Sequence, residues 1–228
     1  MKLLTYVRLL YIHKKTLINA LLKIIIIMGC CSSRKCSSHP TVVFVIGGPG
    51  SGKGTQCANI KKTFGYEHLS TGDILRRVVE KKENPKWKEL KEKMDKGDFV
   101  SSEELLGYVK NELESMGNKK VLLDGFPRNQ ENIDEWNKQM KNVCEVSAVI
   151  YFECTEEEMK KRMLSRNEGR SDDNEETINK RVENFLKDTK PLIEIYDKIG
   201  KLIRIDAMKG VEQIFEDVKA KMIEKKLN

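Results

Sequence analysis

Beyond residue 40 the chain alternates two kinds of segment. Short apolar runs at Val42 to Ile46, Tyr66 to Leu69, Lys120 to Leu123, Val146 to Phe152 and Leu202 to Ile205 are separated by long stretches whose apolar residues recur with a helical period. Runs this short and this continuously apolar have both faces covered, so the pattern predicts an α/β domain: a five-stranded parallel sheet with helices on both faces. Two segments depart from it. Residues 70–100 and 166–174 are mostly charged and read as inserts projecting from the core. No repeat or low-complexity linker interrupts residues 41–228, which read as one domain after an extension spanning 1–40.

The first predicted strand runs into Gly47-Gly48-Pro49-Gly50-Ser51-Gly52-Lys53-Gly54-Thr55. This is a phosphate-binding loop in strand-then-helix context, with Gly54 interposed before the hydroxyl residue. Glycines let successive backbone N–H groups approach phosphate oxygens that a β-carbon would keep away. Gly50, Ser51, Gly52, Lys53, Gly54 and Thr55 are therefore candidate triphosphate-binding residues, with Lys53 reaching the β and γ phosphates and the Thr55 hydroxyl near Mg²⁺. Leu122-Leu123-Asp124 closes another apolar run with an acid. Ligands of open α/β sheets bind beyond the strand C-termini, so Asp124 is expected to face the same crevice and to meet Mg²⁺ through water; a strand-end Asp capping the next turn is the plainer alternative.

Two arginines stand beside apolar helical stripes. Met159, Met163 and Arg166 fall at i, i+4 and i+7, and Arg181 borders Ile178, Val182 and Phe185. Taken singly, each reads more simply as a solvated surface arginine.

Four strings, Gly48 to Gln56, Leu69-Ser70-Thr71-Gly72-Asp73-Ile74-Leu75-Arg76, Asp124-Gly125-Phe126-Pro127-Arg128-Asn129-Gln130 and Gly169-Arg170-Ser171-Asp172-Asp173-Asn174, together resemble the nucleoside monophosphate kinase family, which is adenylate kinase-like in layout. Within it the likeness is to the eukaryotic UMP-CMP kinase branch, and it runs from about Thr41 to Lys225. The resemblance implies ATP-dependent phosphorylation of UMP and CMP, with dCMP a further acceptor, in pyrimidine nucleotide biosynthesis. Adenylate kinase activity on AMP is the alternative within the family, and a catalytically idle, membrane-tethered nucleotide-binding scaffold the alternative outside it. Arg76 and Arg128 match arginines that hold the acceptor phosphate; Arg166, Arg170 and Arg181 match lid and post-lid arginines that grip the transferring phosphoryl. The implied catalytic set is Lys53, Arg128, Arg166, Arg170 and Arg181. Arg166 also falls to the ATP side, while Arg170 and Arg181 also reach the acceptor. A set of arginines suits this chemistry because several phosphate charges must be brought together, and no general base is needed by an acceptor phosphate that is already largely dianionic.

By the same resemblance, residues 70–100 form the monophosphate-binding insert and 166–174 a short lid without structural zinc. Asn167, Glu168 and Gly169 alone separate Arg166 from Arg170, a shorter spacing than is usual in that branch. Gly125, Phe126 and Pro127 belong to the acceptor site. Asp98, Phe99 and Val100 align with the wall of its base pocket, and Lys209 with the stretch that holds the donor base. Acceptor choice turns on Asn132, four residues after Arg128, where adenylate kinases present a longer Gln; a shorter amide suits a smaller ring. Thr71 points the other way, being the adenylate kinase-like residue.

Charge changes the picture only by its location. Seven of the 42 basic residues, and no acid, lie in 1–40, leaving 35 basic against 35 acidic side chains in the remainder. The domain offers no electrostatic footprint for nucleic acid, and nucleotides are the expected partners of a monomer. The extension contains Met28-Gly29-Cys30-Cys31-Ser32-Ser33, which matches a myristoylation signal if translation starts at Met28, with Gly29 acylated and Cys30 or Cys31 palmitoylated. A basic targeting presequence and a functionless tail are the other readings. The apolar run before Met28 is shorter than the ~20 residues needed to span a bilayer. The expected location is cytoplasmic, with the nucleus as a second compartment, and at the membrane only if Gly29 is acylated. Cys57, Cys144 and Cys154 read as buried free thiols.

Overall fold

The structure is a computed structural model that describes residues 39–82, 85–165 and 174–228. Five strands, β1 (Thr41–Gly47), β2 (Glu67–Ser70), β3 (Lys120–Asp124), β4 (Glu145–Glu153) and β5 (Leu202–Asp206), form one parallel sheet in the order β2-β3-β1-β4-β5. The helices among the described residues are α1 (Lys53–Phe64), α2 (Thr71–Lys81), α3 (Trp87–Asp95), α4 (Ser102–Met116), α5 (Gln130–Gln139), α6 (Glu156–Leu164), α7 (Glu175–Asn184), α8 (Lys190–Lys198) and α9 (Val211–Glu224). A π-helical turn at Phe185–Thr189 joins α7 to α8.

Burial on both faces accounts for the continuous apolar runs. On β1, Val42, Phe44 and Ile46 point into a core shared with α4, α5 and α8, while Val43 and Val45 point into a second core under α1 and α9. Phe44 anchors the first core: its ring meets Trp136 edge-on at 4.8 Å and Phe126 at 5.3 Å, favoured geometries for aromatic pairs.

Local signals set the helix starts. Ser70, Asn129, Thr155 and Asn174 occupy the N-cap positions of α2, α5, α6 and α7, each accepting a hydrogen bond from the backbone N–H three residues on. The charged segment 70–100 is more than a projecting insert. It forms α2 and α3, and Ile74, Leu75 and Leu90 are buried in the main core. A narrow apolar stripe is enough to dock a helix whose remaining positions are charged.

The strand order puts β1 between β3 and β4, with the connection from β1 running to β2 at one edge and that from β3 crossing to β4 on the other side, and a crevice opens beyond the C-terminal end of β1. Register places the chemistry there: Val45 pairs with Asp124, Gly47 with Phe152, and the Gly125 N–H donates to the Val45 carbonyl at 3.0 Å.

Candidate active site

A cleft of about 750 Å³ lies beyond these strand ends. One end is the glycine-rich loop. Gly50 and Gly52 have φ of +75° and +82°, and a β-carbon on Gly50 would stand 2.6 Å from the Met159 carbonyl, so the turn requires glycine there. At Gly52 and Gly54 an added β-carbon would meet nothing within 4 Å. That open side faces the start of α1, which has no acidic residue in its first turn and no side-chain cap, leaving its N–H groups available to an anion.

Lys53 is the first residue of α1, and its ammonium donates to the Gly47 and Gly48 carbonyls, both at 2.8 Å, with Ser51 Oγ at 3.5 Å. The cation is thus folded back onto the loop. Gly50, Gly52, Gly54 and Thr55 line the cleft with it, whereas Ser51 is buried and braces the turn through a bond from its N–H to the Gly48 carbonyl at 3.2 Å.

The other end is built on the chain that follows β3. Gly125 has φ +77°, Phe126 is buried in the aromatic cluster and its bond to Pro127 is cis. Arg128 lines the cleft, its Nε donating to the Gly125 carbonyl at 2.9 Å and its backbone oxygen accepting from the Thr189 hydroxyl at 2.6 Å. Arg76 and Arg181 line the same cleft, Arg76 paired with Asp73 from the preceding turn of α2. Desolvation of the Arg128 guanidinium against the cleft wall holds its pKa below the usual guanidinium value; Arg181 and Arg76 add to this and Asp124 opposes it. A guanidinium remains charged at neutral pH all the same, and cations held together in this way await an anion.

The wall between the two ends carries the remaining residues. Asn132 is buried; its Oδ1 accepts the Arg128 N–H at 2.9 Å and its Nδ2 donates to Ser102 Oγ at 2.8 Å. Asp98, Phe99 and Val100 line the cleft, with Asp98 salt-bridged to Lys180 at 2.6 Å. Gly97, just before them, accepts from Asn184 Nδ2 at 3.1 Å, and Asp95 from the Thr177 hydroxyl at 2.8 Å, so the end of the insert is tied to α7 at three places. Lys209 lies at the far rim, paired with Asp217 at 2.6 Å. Arg166 and Arg170, like Gly29, Cys30 and Cys31, lie outside the described residues.

Several cleft residues were given no role by the sequence. Arg162 donates to the Ala207 carbonyl at 2.9 Å, fixing the turn before Lys209, and Gln56 donates to the Val211 carbonyl at 2.9 Å. His68 sits 3.2 Å from Asp124. Each acts through a distant partner, so spacing along the chain could not expose it.

Asp124 also provides the test for a metal. Its Oδ2 faces His68, while Oδ1 is buried without a hydrogen-bond partner. A buried unpaired carboxylate oxygen is costly, and one aimed at a hydrated cation is not. With Thr55 on the same cleft, these residues fit Mg²⁺ held through water and the phosphates.

A sequence profile described as "Adenylate kinase" matches residues 45–201. The chain belongs to the adenylate kinase family. Among curated members it is 46% identical to "UMP-CMP kinase 3" of Arabidopsis thaliana over 79% of this chain and 88% of that one. It is 44% identical to "UMP-CMP kinase" of Homo sapiens, over 78% and 95% of the two chains. With "UMP-CMP kinase 3" of Oryza sativa subsp. japonica it shares 43% identity over 86% and 92%. The adenylate kinase match spans both ends of the cleft, from β1 to the residues before β5.

Proposed function

We propose that the protein phosphorylates UMP and CMP, and dCMP as a further acceptor, with ATP as donor. The observation that carries this reading is the pairing, in one cleft, of a glycine loop and Lys53 at one end with Arg76, Arg128 and Arg181 at the other. A nucleotide binder needs the first; a transfer between two nucleotides needs both. The naming of the relatives as UMP-CMP kinases supports the choice of acceptor.

In this reading the loop N–H groups and the start of α1 hold the ATP phosphates, and Lys53 moves from the Gly47 and Gly48 carbonyls to the β and γ oxygens. Arg76 and Arg128 hold the acceptor phosphate, one oxygen of which attacks the γ phosphorus as the bond to the β–γ bridging oxygen breaks. Arg181, with Arg166 and Arg170 of the lid, balances the charge on the transferring group. Mg²⁺, when bound, neutralises phosphate charge, and Asp124 and Thr55 would position its water shell. Asp98, Phe99 and Val100 border the acceptor base, and Lys209 the donor base.

Thr71 is the residue that favours AMP as acceptor. Its hydroxyl, however, is engaged with the main chain, lying 3.1 Å from the Asp124 carbonyl and 3.2 Å from that of Gly125, with Arg128 Nη2 at 3.4 Å. It holds the Arg128 turn, a task indifferent to the base. Among the described residues no helix is long and apolar enough to cross a membrane; attachment through acylated Gly29 is the reading for a chain begun at Met28, checked by incorporation of a myristate analogue. The acceptor is tested with ATP and a panel of UMP, CMP, dCMP and AMP, where the highest kcat/KM is expected for UMP or CMP. A preference for AMP would replace this reading with an adenylate kinase.

A further inference from the structure

Three side chains of metal-ligand type, from three different elements, meet beneath the glycine loop. Cys57 projects from the second turn of α1, His68 from β2 and Asp124 from the end of β3. The Cys57 sulfur, a His68 ring nitrogen and an Asp124 carboxylate oxygen all lie within 4.8 Å of one another. His68 and Asp124 line the cleft, while Cys57 is fully buried behind them. The set is therefore closed toward the protein and open toward the phosphate-binding side.

The donor types decide which ion this arrangement suits. Mg²⁺ takes oxygen ligands and keeps several waters, so a thiol and an imidazole are of little use to it. Thiolate, imidazole and carboxylate together are a zinc-class set, and three protein ligands with a fourth position left open is a recurrent geometry for such ions. Charge also matches: a thiolate and a carboxylate balance a divalent cation. Asp124 Oδ1 is buried without a hydrogen-bond donor, so the set holds a carboxylate oxygen that no protein group satisfies and for which this ion would compete with the hydrated Mg²⁺.

We propose that Cys57, His68 and Asp124 form a binding site for a thiophilic divalent cation of the zinc class, its fourth position opening into the cleft. On binding, the Cys57 S–H bond breaks, the proton leaves to solvent and the sulfur electron pair goes to the metal; nothing is oxidised or reduced. The ion draws Asp124 away from the hydrated Mg²⁺, so occupancy inhibits phosphoryl transfer. Inhibition rests on the function proposed above, but binding does not.

The test uses the full chain with Cys30, Cys31 and Cys36 changed to Ser, so that thiolate signals arise from within the domain, stripped with a chelator and titrated with Co²⁺. A single equivalent should produce thiolate-to-cobalt charge-transfer absorption, lost on adding Zn²⁺. Cys57→Ser, with Cys57→Ala as a second variant should the first fold poorly, should abolish that band, and His68→Gln should weaken binding by at least about tenfold. In the activity arm, Zn²⁺ should inhibit the parent protein, while Cys57→Ser keeps its basal rate and needs at least about tenfold more Zn²⁺. Cobalt absorption lacking a thiolate band, or a band unchanged in Cys57→Ser, overturns the proposal and leaves a hydrogen-bonded His68–Asp124 pair beside a packed thiol. A chain with no kinase activity that still shows the Cys57-dependent band would overturn the proposed function and leave the metal site standing.

Discussion

The Asn132 amide donates to the Ser102 hydroxyl at 2.8 Å, with both side chains buried. Since Asn132 Oδ1 is already taken by the Arg128 N–H, one Nδ2 hydrogen remains to face the cleft. The orientation of the amide is therefore fixed before any base arrives. Asn132→Gln pushes the amide a methylene further and breaks this arrangement. Use of UMP and CMP should fall relative to AMP by roughly tenfold or more in kcat/KM, since a mispaired buried polar group costs about 1–3 kcal/mol. Ser102→Ala should move the same ratio in the same direction by less. Acceptor ratios unchanged in both variants would remove Asn132 from base recognition.

Lys53→Ala should reduce turnover by at least about 10³-fold, through loss of the cation at the β and γ phosphates. It should also lower stability by about 1 kcal/mol, because Lys53 is bonded to the Gly47 and Gly48 carbonyls. Turnover and thermal midpoint measured together check both parts; near-normal turnover would remove Lys53 from phosphate binding.

Arg170→Ala should lower kcat by about 10³-fold while leaving UMP affinity nearly unchanged, as expected for a cation that acts on the transferring phosphoryl. Calorimetric titration with UMP separates this from a role in acceptor binding, in which affinity would fall and kcat hold.

Phe44→Ala removes the ring that Phe126 and Trp136 pack against, at a cost of about 3–5 kcal/mol. Phe126 precedes Pro127 and Arg128, so KM for the acceptor should rise more than KM for ATP in whatever fraction remains folded. Equal effects on the two would show that the aromatic cluster does not position the Arg128 turn.

Burial pushes the Tyr66 phenol up from 10.0 to about 12, and its hydroxyl donates to the Leu227 carbonyl at 2.6 Å. The folded chain thus holds this proton more tightly than the unfolded chain. The associated stability is complete below about pH 10 and is lost as pH rises toward 12. Denaturation midpoints across that range should fall less steeply in Tyr66→Phe than in the parent; parallel curves would exclude Tyr66 as a source of the alkaline loss.

Whatever depends on neighbours along the chain could be read from the sequence. The apolar runs become the five strands of the sheet, and Gly47 to Thr55 forms a loop that only glycine could turn at Gly50. Interactions between distant segments could not. Thr71 looked like a reporter of the base, yet its hydroxyl serves two main-chain carbonyls more than 50 positions away. Cys57, His68 and Asp124 meet only once β2 has paired with β3 and α1 has docked beside them. Ile74, Leu75 and Leu90 were masked by the charge around them, because a helix needs few apolar positions to reach a core.

The three ties from α7 to residues 95–98, through Thr177, Lys180 and Asn184, have a kinematic consequence. Arg181, which lines the cleft, lies on α7 between Lys180 and Asn184, so the chain at 95–98 and the helix that carries this arginine are attached to a single lever. A displacement at either end must stretch these contacts or carry the other end with it. Filling one half of the cleft would then lower the work of ordering the other, a coupling carried by three side-chain contacts and independent of any contact between the two nucleotides.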